Sequence, residues 1–168
     1  VTVGDMAAFQ LKRPVDAAFN TINTFRHLPT EETAEAHLHC MAAALAPGGI
    51  YALGLHLLPT KGPHDEEESW TARRGHVQVN SRMWSKKIDK KRRMEHLGMT
   101  LDIWMPTKHF QIEDEMHYRT YTATQMFDLL SRVPELEHVA TYDFAYDLNQ
   151  QVTIGPTTQD IVLILKRK

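Results

Sequence analysis

The apolar positions of this chain change period along its length. Val15-Asp16-Ala17-Ala18-Phe19-Asn20 is a short apolar segment that runs into the polar stretch Thr21-Ile22-Asn23-Thr24-Phe25-Arg26-His27-Leu28. Ala34, Leu38, Met41, Ala42 and Leu45 then share one face at helical spacing, with Thr30 as an N-cap after Pro29, which predicts a helix from about Glu31 to Leu45. Pro47-Gly48-Gly49 reads as its stop. Ile50 to Leu57 reads as a buried strand, apolar on both faces as parallel strands are. Strand, polar loop, helix and strand make one βαβ unit, and such units bind ligands beyond the carboxyl ends of their strands. The polar loop from Asn20 is therefore the first place to look for chemistry.

From Pro59 to Glu68 the composition turns to Pro, Gly and acidic residues, which marks an exposed connection. After it the period becomes two. Leu97, Met99, Leu101, Ile103 and Met105 alternate with His96, Gly98, Thr100, Asp102 and Trp104, and Phe110, Ile112, Met116 and Tyr118 repeat the pattern. Residues 70 to 119 are thus predicted to form an antiparallel sheet with one apolar face, inserted into an α/β domain. Thr122 with Gln125 has capping-box spacing ahead of Met126, Leu129, Leu130 and Val133, a short amphipathic helix ending at Pro134. Val139 to Tyr146 and Ile161 to Leu165 read as two last strands. The expected organisation is residues 1–58 and 120–168 as the core, with 59–119 as the insertion, lid-like over the crevice.

Composition removes several classes of function. The 168 residues carry a net charge of -2 and are 42% hydrophobic, enough for a core but with no electrostatic footprint for nucleic acid or an anionic membrane surface. The longest apolar run, Ile50 to Leu58, is interrupted by His56 and far too short to span a bilayer. The basic run from Lys86 to Arg93 reads as a charged hairpin tip, offset by the acidic residues Asp65 to Glu68. One cysteine, Cys40, cannot form an internal disulfide, which suits a reducing, cytoplasmic compartment. His37 and Cys40 lie one helical turn apart, but no second pair at ligand spacing joins them, so no metal is expected.

Gly4-Asp5-Met6, then Val15 to Asn20, then Leu45-Ala46-Pro47-Gly48-Gly49, in this order and spacing and with a strand pair at the C-terminus, resemble the later motifs of class I S-adenosylmethionine-dependent methyltransferases. The resemblance implies a Rossmann-like α/β fold, truncated at its N-terminus and interrupted by the antiparallel β insertion. The glycine-rich strand-to-helix turn of the family does not occur in these residues. Val1 to Val3 would be the last strand before the Asp5 motif, and the missing strands would leave a sheet edge that a homo-oligomer or a preceding segment covers.

The resemblance also implies site residues. Asp5 and Met6 match positions that meet the adenine of S-adenosylmethionine. Asn20, Thr21 and Phe25 match the loop beside its methionine part, with Asn23 and Arg26 facing a small-molecule acceptor. His27 is the candidate general base and His56, near the end of the next strand, the second choice. Tyr118-Arg119-Thr120-Tyr121 resembles a segment that returns over the active site, so Arg119 and Tyr121 are candidate acceptor contacts. The same residues read without the family give a plain Asn/Thr turn and a strand-ending Asp. The expected function is methyl transfer to a small molecule by in-line displacement; the alternative is a non-catalytic remnant or interaction module of the same fold.

Overall fold

The computed structural model describes residues 3–64 and 67–168. They divide into two compact units, one formed by residues 1–63 and 120–168 and the other by 64–119.

The first unit is built on a four-stranded sheet. Its strands are β1 (Val15–Asn20), β2 (Leu45–His56), β7 (Leu136–Tyr142) and β8 (Asp160–Arg167), in the order β1-β2-β8-β7. β1 and β2 are parallel, whereas β8 runs antiparallel to both of its neighbours. The helix α1 (Glu31–Ala44) makes the right-length crossover between β1 and β2. Thr30 caps it through a reciprocal pair: its hydroxyl accepts from the Thr33 N–H, and the Thr33 hydroxyl accepts from the Thr30 N–H, both at 3.2 Å. The second helix, α2 (Ala123–Ser131), has the expected box of Thr122 and Gln125. Arg132 at its end joins Glu31 (2.7 Å) and Glu35 (3.1 Å) of α1. Between helices and sheet lies the apolar core of Leu38, Leu53, Leu55, Met126, Leu129 and Leu163, with Phe25 and Tyr121 fully buried among them.

Three boundaries depart from the sequence reading. The strand expected from Ile50 already starts at Leu45, one residue after the helix, because Val15 pairs with Leu45 and Ala17 with Ile50, leaving Pro47-Gly48-Gly49 as a bulge within the strand. Gly49 is required there: a Cβ would stand 2.8 Å from the Ala46 carbonyl oxygen and 3.2 Å from those of Val15 and Asp16. The strand expected over Val139 to Tyr146 is shifted to Leu136–Tyr142, and the chain beyond it turns, with the Asp143 carboxylate accepting the Ala145 N–H at 2.9 Å. Val3 is irregular and almost fully exposed rather than in a strand, and Val1 and Thr2 lie outside the described residues.

The second unit is one antiparallel meander of β3 (Glu67–Arg74), β4 (Val77–Asp89), β5 (Met94–Met105) and β6 (Lys108–Arg119). The alternation read in the sequence sorts its faces as expected: Asn80, Asp102 and Gln111 lie in one register row, and Val79, Ile103 and Phe110 in the adjacent row on the other face. The basic run forms the β4–β5 hairpin, whose turn is closed by the Asp89 carboxylate accepting the Arg92 N–H at 2.9 Å. Of the acidic residues expected to offset it, Asp65 and Glu66 lie outside the described residues and Glu67 pairs with Arg82 instead.

Candidate functional site

The carboxyl ends of the parallel strands β1 and β2 lie side by side, with Asn20 opposite Leu53. Beyond β1 the chain does not leave in an ordinary turn. Ile22 and Asn23 both adopt left-handed backbone, at φ 56° and 64°. Asn tolerates this conformation, but a β-branched isoleucine rarely does, so the surroundings must hold it. What holds it is visible at Asn23, whose side chain is 2% exposed. Its amide oxygen accepts the His56 N–H at 2.8 Å and meets the Arg26 guanidinium at 3.5 Å, while its own backbone N–H donates to the Gly54 carbonyl at 3.1 Å. The loop thus lies across the end of β2, and Gly54 permits the approach: a Cβ there would be 3.3 Å from the Ile22 nitrogen and 3.4 Å from the Thr21 Cα.

A second set of bonds fixes Asn20. His37 of α1 reaches the Met6 carbonyl through Nδ1 (2.8 Å) and the Tyr51 hydroxyl through Nε2 (2.9 Å). A carbonyl only accepts, so Nδ1 carries the proton and Nε2 accepts from Tyr51. The Tyr51 oxygen is then free to accept from the Asn20 amide, with which it is hydrogen-bonded. Desolvation lowers the His37 pKa, against the opposing bond to Met6, and so keeps the ring neutral, as this chain of bonds requires. Burial raises the Tyr51 hydroxyl well above its ordinary value, with the Asn20 amide opposing. The consequence falls on Asn20. Its NH₂ donates one hydrogen bond to Tyr51, and its Oδ1 is a buried acceptor with no hydrogen-bond partner among the described residues. An orphaned acceptor at a strand's carboxyl end suits a ligand that carries an N–H or ammonium group.

At the end of β2, His56 faces Asp160, the first residue of β8, with Nε2 3.3 Å from the carboxylate, and its ring lies 5.1 Å from that of Phe144. A carboxylate beside an imidazole orients the ring, an arrangement that general bases use. His27 is exposed at the end of the 3-10 turn Thr24–His27.

The residues expected from the sequence therefore fall into distinct places. Asn20, Thr21, Asn23 and His56 come together at one sheet end. Phe25 and Tyr121 are fully buried with ring centroids 5.7 Å apart, and Arg26 is 4% exposed, so these three shape the site from beneath it. Asp5 is exposed and its carboxylate accepts the Ala7 N–H at 2.8 Å, while Met6 touches the site through its carbonyl bond to His37. Arg119 ends β6 in the second unit. Sequence reasoning missed Tyr51, Asp160 and the bridging role of His37. His37 sits where a helical core residue should be, and only its polar type hints at partners across the fold.

No family model and no curated protein matches this chain. Solved structures do. A S-adenosylmethionine-dependent methyltransferase from Clostridium acetobutylicum superposes with a TM-score of 0.76 at 11% identity, over 99% of this chain and 63% of its own. An amino pentose methyltransferase from Micromonospora echinaspora, involved in calicheamicin biosynthesis and solved with S-adenosylmethionine bound, gives 0.70 at 16% identity over 98% and 63%. A sugar N-methyltransferase from Streptoalloteichus gives 0.69 at 13% identity over 98% and 61%. The fold is therefore the Rossmann-like α/β fold of these methyltransferases, and the chain spans a little over three-fifths of their length.

Proposed function

We propose that this chain carries the acceptor-facing part of a S-adenosylmethionine-dependent methyltransferase that acts on a small molecule. The observation that carries the reading is the orphaned Asn20 Oδ1 at the end of β1, beside a loop held in strained left-handed backbone at Ile22 and Asn23. That is where an α/β sheet of this kind takes its ligand. The residues present fit the group: Asn20 offers an acceptor to an amino nitrogen, Thr21 lines the same turn, and Asp5 and Met6 stand on the segment tied to His37. When bound, S-adenosylmethionine supplies a methyl group on a positively charged sulfur.

The reaction is an in-line displacement, so this chain's part is orientation and, for a protonated acceptor, removal of one proton. Asn23 ties the loop to the backbone of His56 and so couples the cofactor side of the site to the acceptor side. His56, oriented by Asp160, is the residue we assign to accept the proton, in preference to the exposed His27. Phe25, Arg26 and Tyr121 hold the loop's underside. The test is transfer of a tritiated methyl group from S-adenosylmethionine to a panel of amino sugars and other small amines, with His56→Gln and Asn20→Leu alongside. Label transfer that falls in both variants supports the reading. No transfer to any acceptor, with no cofactor bound at this sheet end, overturns it and leaves an interaction module of the same fold.

A further inference from the structure

The second unit has a face that a plain solvent-facing sheet does not explain. Along β5 the residues Gly98, Thr100, Asp102 and Trp104 lie on one face, opposite Trp84, Arg82, Asn80 and Gln78 of β4. An antiparallel sheet with one apolar face normally turns long charged side chains to water on the other. Here the middle of the polar face carries short hydrogen-bonding groups beside Arg82 and Glu113. Ser69, Thr71, Asn80, Thr100, Asp102 and Gln111, together with Trp70, Ser81 and Arg82, line an open groove of about 710 Å³, a volume in the range of ligand sites.

Two tryptophans stand on this polar face. The Trp84 indole covers Gly98: a Cβ at that glycine would come within 2.5 Å of its Cζ2. Trp104, 46% exposed, is stacked on His109 with centroids 3.6 Å apart and planes 14° from parallel. Six positions along β5, from Gly98 to Trp104, separate the two platforms, about 20 Å of extended chain. The polar groups between them are already oriented. Asp102 accepts from Trp104 Nε1 at 2.7 Å and bonds His109 at 2.6 Å, and Asn80 Oδ1 accepts from Thr71 at 3.1 Å and from Gln78 at 3.1 Å. Each Asp102 oxygen keeps lone-pair capacity after these bonds.

Charge decides the class of ligand. The groove's one arginine, Arg82, is closed by Glu67 in a bidentate pair at 2.7 and 2.8 Å, and Asp102 is matched by His109. Among the described residues that line the groove no cation lacks an acidic partner, which argues against a nucleic acid or a phosphorylated ligand there. Aromatic faces with preset, short, planar hydrogen-bonding groups between them suit rings that present C–H surfaces and hydroxyls together. The geometry points to the polar face of the β3–β6 sheet as a binding groove for a neutral saccharide, hydrogen-bonded by Asp102, Asn80 and Gln111 and stacked on Trp104, which flanks the groove through its bond to Asp102. This groove lies wholly within the second unit and does not depend on the methyl-transfer reading.

The test is retention of the full chain, without cofactor, on an array of neutral oligosaccharides of glucose, mannose, xylose and N-acetylglucosamine, with sulfated glycans and oligo-dT as charged probes. Retention on at least one neutral glycan, weakened about tenfold by Trp104→Ala and by Asp102→Asn but not by Lys90→Ala at the hairpin tip, is expected. Trp104→Phe keeps a stacking ring and should retain part of the binding, which separates loss of the platform from loss of the fold. Absence of any neutral retention, retention indifferent to both Trp104→Ala and Asp102→Asn, or preferential salt-sensitive retention of the charged probes would overturn it.

Discussion

Asn23→Ala should be costly despite lying in a loop, and its cost can be built from three contributions. The first is the acceptor lost to the half-buried His56 N–H, bonded at 2.8 Å, which is worth about 1–2 kcal/mol. The second is the left-handed backbone at φ 64°, which alanine adopts about 1 kcal/mol less readily than asparagine. The third, the 3.5 Å contact to Arg26, is long and adds little. The sum is about 2–3 kcal/mol, which for a chain of this size lowers the melting temperature by about 4–12 °C. The same estimate has a local readout: exchange of the His56 amide hydrogen should accelerate by about tenfold or more as its acceptor disappears. Asn23→Gly separates the contributions, because glycine restores the backbone preference without the acceptor and should recover about 1 kcal/mol. Circular-dichroism melts and amide exchange of the three proteins measure both quantities. If Asn23→Ala and Asn23→Gly each cost less than about 0.5 kcal/mol and leave His56 exchange unchanged, Asn23 is not what holds this loop.

His37 gives a pH prediction with a definite sign. Its pKa is lowered by burial, so between its folded value and the ordinary one near 6.5 the unfolded chain binds more protons, and stability is lost as pH falls through that window. Urea melts at pH 7.5, 6.5 and 5.5 should show a decline at the lower values that flattens in His37→Gln; an unchanged slope in that variant would contradict it. Tyr51→Phe removes the hydroxyl between His37 and Asn20 and should cost about 1–3 kcal/mol, read by the same melts, because it strands polar atoms on both sides. Gly49→Ala forces a Cβ against three carbonyl oxygens and should destabilise by about 1–3 kcal/mol, whereas an exposed hairpin change such as Lys90→Ala should stay within about 0.5 kcal/mol.

Local pattern made most elements legible: β1, both helices and the inserted strands β5 and β6 follow from periodicity and capping residues, whereas β3, exposed along its whole length, has no such alternation. Pro47-Gly48-Gly49 misled because in isolation it terminates structure, while here pairing with Val15 and Ala17 carries the strand through it as a bulge. The loop after β1 was legible as the candidate site by its place at a strand end. What it does there was not, since an Asn/Thr run looks alike whether its amides face water or, as with Asn23, are buried and anchor two other segments. Partners such as Met6 with His37, or His56 with Asp160, are separated by 31 and 104 positions in the chain, and only the closed sheet brings them together. The polar face of the inserted sheet was visible as an alternation, yet the pairing of Asp102 with His109 required the β5–β6 register.

The central claim, that the end of β1 and β2 takes S-adenosylmethionine, is tested most directly by amide NMR of the labelled chain titrated with S-adenosylhomocysteine. The glycine-rich turn of class I methyltransferases does not occur among these residues, so weak binding is expected and the method must reach about millimolar dissociation constants. The account predicts shift changes centred on Met6, Asn20 to Arg26 and Gly54 to His56, with the Asn20 side-chain NH₂ among them, and their loss in Asn20→Leu. Changes confined to other parts of the chain, or none at about 10 mM ligand, would contradict it.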